Sequence, residues 1–572
     1  MKFLTKKNYI IFCLFIALFF EPKLFTADSR ANYKSKDISN YFSGIISTNQ
    51  YYNRNAYEYL NRVKSINNIH SQFNVEFIRT LVLLEKFKEA NHFSQKVWRK
   101  EEMFFEADLL LGINFFINED YEMTSKYFER LNKISRYNLI FDNFFGNIML
   151  AWNEAVQGNK KKSFEFIEKI PKAYYNITRT QSIFLKCYLD QQDTKIAFEN
   201  LIKENEYNFS RYNFFLINYL LSKDNIKEAK KIIKTSRDEY NSNLLLKQTE
   251  SLFVNNNRNK IIKIFNCKNP KDSLAEFFYV ISNLYASEQD YQLSNFYLKI
   301  SLFLNDKFIF NKALLAENLY FQKKYDESIK AYNSLKSIGE VYSWHASKNI
   351  ASILEKKKGI KYAVKNLKKD FDSLTNLNHE HYYDLANFYK EKKFYKESIE
   401  YYSQALKNIK KDDFLVPKIL DRRGSSYERI GDWKKAEKDL LASLKIIPDQ
   451  PHVLNYLAYS WIDQGINIDE GLEMLIKASK LRENDGYIID SLGWAYYAKK
   501  NYFKAKNFLE KAVELLPLDP IINDHYGDVL WMLNKDIQAR YIWGSVLKME
   551  DAEQELKDNV EKKLIFGIKG HL

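Results

Sequence analysis

The sequence predicts an all-α protein, an α-α superhelical solenoid of about fifteen helical hairpins, and three observations carry that expectation. Small residues recur in two slots: Gly493 and Ala505 are twelve residues apart, and Gly527 and Ala539 repeat them 34 residues on. Glycine and proline are scarce, 16 and 8 in 572 residues, which leaves little room for the turns of a β protein. Seven of the eight prolines lie between or at the ends of apolar helical segments, where the missing amide hydrogen costs little; Pro22 is the exception.

At the N-terminus, Lys2, Lys6 and Lys7 precede the apolar run 9–20, the basic and hydrophobic layout of an export signal. The run is shorter than the roughly 20 apolar residues that cross a bilayer comfortably. Residues 1–27 therefore read as a signal peptide or an N-terminal membrane anchor. Ala27 is the candidate last residue removed, although bulky Phe25 stands where a small residue is expected. Cys13 follows Phe12, where bacterial lipidation wants a small residue, so a lipoprotein is not expected. The chain is expected to be exported, and to be either periplasmic or held on the inner membrane by that segment.

Residues 41–240 read as a degenerate array. Gly44 pairs with Ala56, Ile78 with Ala90, Gly112 with Thr124 and Ala151 with Ser163, each twelve apart, while Ala197 and Ala229 continue the second slot. Residues 241–272 are the least regular and read as an irregular connecting hairpin. Residues 273–550 form the well-formed array. Its first slot holds Ser282, Ala316, Ala351, Ala386, Gly424, Ala458 and Gly493; its second holds Ser294, Ser328, Ala363, Ser398, Ala436, Gly471 and Ala505. Two helices approach to roughly 8–10 Å only where the crossing residues are small, and one small residue per helix provides that. Residues 551–572 carry Leu556, Val560 and Leu564 at four-residue spacing, the stripe of a capping helix over the last hairpin.

Leu492, Gly493 and Tyr496 on the first helix, Ala505, Leu509 and Ala512 on the second, and Pro517 closing the hairpin resemble the tetratricopeptide repeat, whose period is about 34 residues. Residues 454–546 are similar to the C-terminal repeats of exported bacterial tetratricopeptide proteins, including outer-membrane scaffolds that deliver cell-wall hydrolases to a processing protease. Those scaffolds are usually lipid-anchored, and this chain lacks the lipidation cysteine. The resemblance implies a scaffold whose first helices line a concave, partner-holding face.

Catalytic patterns are missing from the sequence: there is no glycine-rich phosphate loop, no paired-cysteine zinc spacing, no His-Glu-x-x-His run and no serine elbow. His379 and His381 flank Glu380 at a helix start and have no further ligands in view, so neither metal nor cofactor is expected. After the leader only Cys187 and Cys267 remain; eighty residues apart in different hairpins, they are expected to be buried free thiols.

Net charge +14 raises the possibility of RNA binding, but lysine and arginine are interspersed with acids and the leader directs the chain away from nucleic acid. Residues 449–550 are the opposite, with 15 acidic residues against 11 basic. Helical spacing along the first helices there aligns His452, Asn455 and Tyr459, then Tyr487, Asp490, Trp494 and Tyr497, then Ile521, Asp524, Asp528 and Trp531. This aromatic and acidic groove suits an extended protein segment carrying apolar and basic side chains. The groove positions carry Asp490 and Asp524 where the family's chaperone-binding members hold a terminal carboxylate with Lys and Asn, so that ligand class is not implied. The expected function is a non-catalytic protein-binding scaffold of the bacterial envelope, which meets a membrane only through its N-terminal segment. The alternatives are an accessory for export or assembly of an envelope polysaccharide, which aromatic platforms would also suit, and an RNA-binding repeat protein.

Overall fold

The structure, a computed structural model, describes residues 34–68, 70–99, 104–134, 143–204, 208–239 and 243–568; the predicted leader, Cys13 included, lies outside them. The described residues form α-helices joined by short turns, with three 3₁₀ turns and no strand. None of these helices is long and apolar enough to cross a membrane.

The hairpins of the well-formed array share one construction. In the hairpin Gly486–Ala498 and Tyr502–Leu515, a Cβ on Gly493 would meet Leu509 Cγ at 2.7 Å, so the close crossing requires the missing side chain. At two crossings a slot serine bonds across: Ser282 Oγ donates to the Ser294 carbonyl at 2.8 Å and Ser328 Oγ to the Ala316 carbonyl at 2.6 Å. Such a bond satisfies a buried polar group that would otherwise cost about 1–3 kcal/mol. Ala436, Ala458, Ala505, Ala512 and Ala539 are fully buried in the same role. Gly424 faces Leu440 and the Ala436 carbonyl, and Gly527 lies against the Trp543 indole.

The turn inside each hairpin holds a residue in the left-handed region, and the turn 464–467 holds two, Gly465 and Asn467. Tyr51, Glu85, Glu119, Asp190, Asp224, Asn256, Gln289, Lys323, Lys393, Lys500 and Asn534 take it without being glycine, and Gly158, Gly359, Gly431 and Gly465 fill the remaining turns. At Lys500 the Lys500 amide donates to the Tyr497 carbonyl and the Asn501 amide to Tyr496, which satisfies carbonyls the helix end leaves open. The first helices of the last two hairpins are capped by side chains. Asp485 accepts from the Tyr487 and Ile488 amides, and Asp519 from the Ile521 and Ile522 amides, with Pro520 at the first helical position.

The chain divides into two compact units, Met1–Ile353 and Leu354–Leu572, and the division falls within the helix Glu340–Lys358. In the first unit the array closes on itself. The hairpin Pro270–Ser287 and Tyr291–Leu304 packs against helices from far earlier in the chain: Phe145 meets Phe277 at 5.3 Å and Tyr297 at 5.7 Å, and Phe87 stacks on Phe303 at 4.0 Å. Arg211 donates to both carboxylate oxygens of Glu276, at 2.7 and 2.8 Å, and to Asn311, and lies over the Tyr279 ring at 4.0 Å. This fold-back fills the interior of the unit with the chain's own aromatic rings.

The same closure corrects the expectation of free thiols. Cys187 and Cys267 form a disulfide, with Cα atoms 5.9 Å apart. Helix Tyr175–Tyr188 lies beside Pro270–Ser287 rather than only beside its sequence neighbours, Phe184 packs on Phe265 at 5.2 Å, and Lys268 Nζ donates to the Tyr188 carbonyl. Separation along the chain is a poor guide to distance once hairpins pack out of order.

In the second unit the hairpins stack in sequence order: His379–Glu391 with Tyr395–Lys407, Val416–Arg429 with Trp433–Ile446, Pro451–Asp463 with Ile468–Leu481, Gly486–Ala498 with Tyr502–Leu515, and Pro520–Met532 with Asp536–Val546. Gln554–Phe566 packs on the last of these, with Val560 buried and Leu556 and Leu564 against the same cluster as Trp543. It stops at Gly567, where φ is +67° and Trp531 lies directly over the Cα, so both the backbone conformation and the space call for glycine.

Candidate partner-binding surface

The helices Pro451–Asp463, Gly486–Ala498 and Pro520–Met532 carry all eleven residues predicted for the partner-binding face, and packing divides those residues sharply. Asp490, Asp524 and Asp528 are buried, at 6–7 % exposure. This corrects their reading as groove carboxylates that set the register of a partner. His525 Nδ1 lies 3.0 Å from Asp490 Oδ1, between neighbouring first helices. Lys563, reaching over from the last helix, donates to both oxygens of Asp524 at 2.8 Å and to those of Asp528 at 2.7 and 2.8 Å. Trp543 Nε1 donates to Asp528 Oδ1 as well.

Three carboxylates thus share two cations, and the charge states follow. Burial would push the His525 imidazole down, but Asp490, with Asp524 and Asp528 behind it, holds it above the ordinary histidine value. Burial and the adjacent Asp524 push the Asp528 carboxyl up to about 6, against the pull of Lys563 and His525. Burial opposes the charge on Lys563 too, yet Asp528 and Asp524 keep it above the ordinary lysine value. The cluster ties the last helix to the array.

Most of the predicted aromatics pack between hairpins. Trp494 stacks on His525 at 4.0 Å and on Tyr497 at 4.5 Å; Trp531 lies 5.6 Å from Trp543, with the Arg540 guanidinium over its ring. Tyr459 and Tyr497 are half-buried, and burial raises both phenols. Asn455 is half-buried, and exposed His452 has Nε2 3.1 Å from Asp421 Oδ2. Of the eleven, Tyr487 presents the most open apolar surface, at 57 % exposure, followed by Ile521 at 52 %.

Tyr487 stands on the border of two clefts. One, of about 680 Å³, is lined by His452, Asn455, Tyr456, Asp421, Arg422 and Lys390. The other, of about 760 Å³, lies between the closing turn 515–521 and the start of Gln554–Phe566. Of its lining, Ile521 is among the predicted groove residues, whereas Leu518, Asp551, Glu553 and Glu555 are not, because Leu518, Asp551 and Glu553 lie in turns outside any helical period and the last helix is read only for its apolar stripe. Leu518, an apolar residue one place after Pro517 in a turn, was the available signal.

His379 and His381 serve the helix start. His381 Nδ1 accepts from the Asn378 amide, completing a capping box, and His379 faces Asp413 at 3.7 Å. Among the described residues no group of three or more His, Cys, Asp and Glu side chains is placed to hold a metal.

Small slots and an internal left-handed turn recur at a spacing close to 34 residues in the ordered half of the chain. The repeat is similar to the tetratricopeptide repeat. No protein-family model matches the chain. Over 110 residues the array is 32 % identical to a TPR repeat-containing protein of Pseudomonas aeruginosa, covering 19 % of this chain and 18 % of that relative's length. Solved structures similar to it include a tetratricopeptide repeat protein from Parabacteroides merdae, 18 % identical over 39 % of this chain and 88 % of that one with a TM-score of 0.33. Another is the C-terminal part of a TPR repeat-containing protein from Cytophaga hutchinsonii, 16 % identical over 43 % and 98 % with a TM-score of 0.31. Tetratricopeptide arrays are in general protein-interaction scaffolds.

Proposed function

We propose that this chain is a non-catalytic scaffold of the bacterial envelope whose second unit holds a partner protein at its last hairpins. The observation that carries the reading is the contrast between the two units. The first fills its interior with its own aromatics, whereas the last hairpins of the second keep Tyr487, Leu518 and Ile521 open beside two clefts. Large apolar residues grouped at a cleft on an otherwise charged surface are what interfaces use.

Export is supported by the basic and apolar layout of the leader and by the Cys187–Cys267 disulfide, a bond that persists in oxidising compartments. The test is fractionation of cells producing the chain, followed by capture of partners with the native chain and with a Tyr487→Ala, Ile521→Ser variant. The expected result is recovery of the chain in the envelope and loss of the captured partner in the variant. A cytoplasmic chain would sink the envelope reading, and undiminished capture by the variant would sink the assignment to this surface.

A further inference from the structure

The cleft between the closing turn 515–521 and the start of Gln554–Phe566 has an apolar floor and an acidic rim. Leu518 is 78 % exposed and Ile521 52 %, and Leu515, Leu516, Pro517 and Leu556 continue the apolar lining. Asp519 caps its own helix, but Asp551, Glu553 and Glu555 are exposed and their carboxylates make no hydrogen bond or ion pair. No lysine or arginine lines the cleft. Two helix N-termini open towards it, each equivalent to roughly half a positive charge, so four carboxylates leave it negative by about three charges. A floor of this kind stabilises an apolar side chain by about 25 cal/mol per Å² removed from water, and the rim fixes which charge lies beside it.

We infer that this cleft binds an extended protein segment in which lysine or arginine side chains flank apolar ones. The inference rests on the scaffold reading and moves the contact with a basic and apolar segment from the buried aspartates to this cleft. Apolar side chains enter beside Leu518 and Ile521 while cationic ends reach Asp551, Glu553 and Glu555. Long cationic side chains suit both parts, because their stems lie on apolar surface while their heads stay with the carboxylates.

The probe is a fluorescent twelve-residue peptide of alternating lysine and leucine, titrated into the full chain by anisotropy beside two controls, one with glutamate for lysine and one with serine for leucine. The lysine–leucine peptide is expected to bind at least about tenfold more tightly than either control. Asp551→Lys with Glu553→Lys and Glu555→Lys is expected to weaken it by about tenfold or more, and so is Leu518→Ser with Ile521→Ser. All five positions are exposed, so the variants should stay folded, the lysines at the helix start lowering the melting temperature only slightly against its dipole. Equal binding by the variants, or by the glutamate peptide, overturns the inference. A chain that sediments as a dimer and becomes monomeric with Leu518→Ser and Ile521→Ser also overturns it, by giving the cleft to a second copy. If the peptide ignores the cleft while partner capture still depends on Tyr487, the cleft assignment fails and the scaffold reading stands.

Discussion

Lys563 shows how much one residue can hold. It is the cation that Asp524 and Asp528 share, and removing one partner of a buried ion pair typically costs about 3–5 kcal/mol. Lys563→Met should therefore destabilise the last hairpin by about 3 kcal/mol, seen as faster hydrogen exchange over residues 520–566. The pH dependence has a definite sign. Asp528, raised from 3.8 to about 6, binds its proton more tightly folded than unfolded, so its contribution falls as pH climbs from about 4 to 6. His525, also raised, stabilises fully below 6.5 and less as pH rises through its folded value. Both terms weaken the end of the array on going from pH 5 to pH 8. Denaturant midpoints across that range should fall for the native chain and fall less for His525→Gln; a rise would contradict the assigned charges. Helical spacing placed Asp490, Asp524 and Asp528 correctly on the first helices. It could not show that Lys563, 35 or more residues away, would neutralise two of them.

At the scale of elements the small slots were legible because close helix crossings admit few side chains. The slots are not equivalent, however, and substitution should rank them. A Cβ at Gly527 would lie 2.5 Å from Trp543 Cδ1, in a ring that is fully buried, whereas at Gly424 the nearest atom is Leu440 Cγ at 3.1 Å. Alanine gains about 1 kcal/mol of helix propensity over glycine, and overpacking costs about 1–3 kcal/mol. Gly424→Ala should thus be near neutral and Gly527→Ala destabilising by about 1–2 kcal/mol in urea unfolding, the two terms setting opposite outcomes. The hairpin turns were not legible. Lys323, Lys393 and Lys500 take the left-handed conformation without the glycine or asparagine that usually marks it, at a cost of roughly 1–2 kcal/mol each that the flanking helix packing offsets.

The whole molecule departs most from what a repeat period can say. Periodicity predicts neighbours that are adjacent in sequence, and the second unit obeys it. In the first unit Phe145, Phe277 and Tyr297 meet because the array turns back, and nothing in the slot pattern encodes that contact. The Cys187–Cys267 bridge closes a loop of about 80 residues, so Cys187→Ser with Cys267→Ser should cost about 4 kcal/mol on the chain-entropy account. Calorimetry should then show the first unit unfolding at lower temperature, and exchange should rise within Met1–Ile353; an unchanged transition would mean that the fold-back holds without the bond.

The central claim is that partner contact belongs to the last hairpins and not to the closed first unit. Photocrosslinking in cells tests it most directly, with the probe at Tyr487 or Ile521 in the second unit, or at exposed Tyr175 in the first. The prediction is crosslinked partner peptides from Tyr487 and Ile521 and none from Tyr175; crosslinks from Tyr175 alone would contradict it.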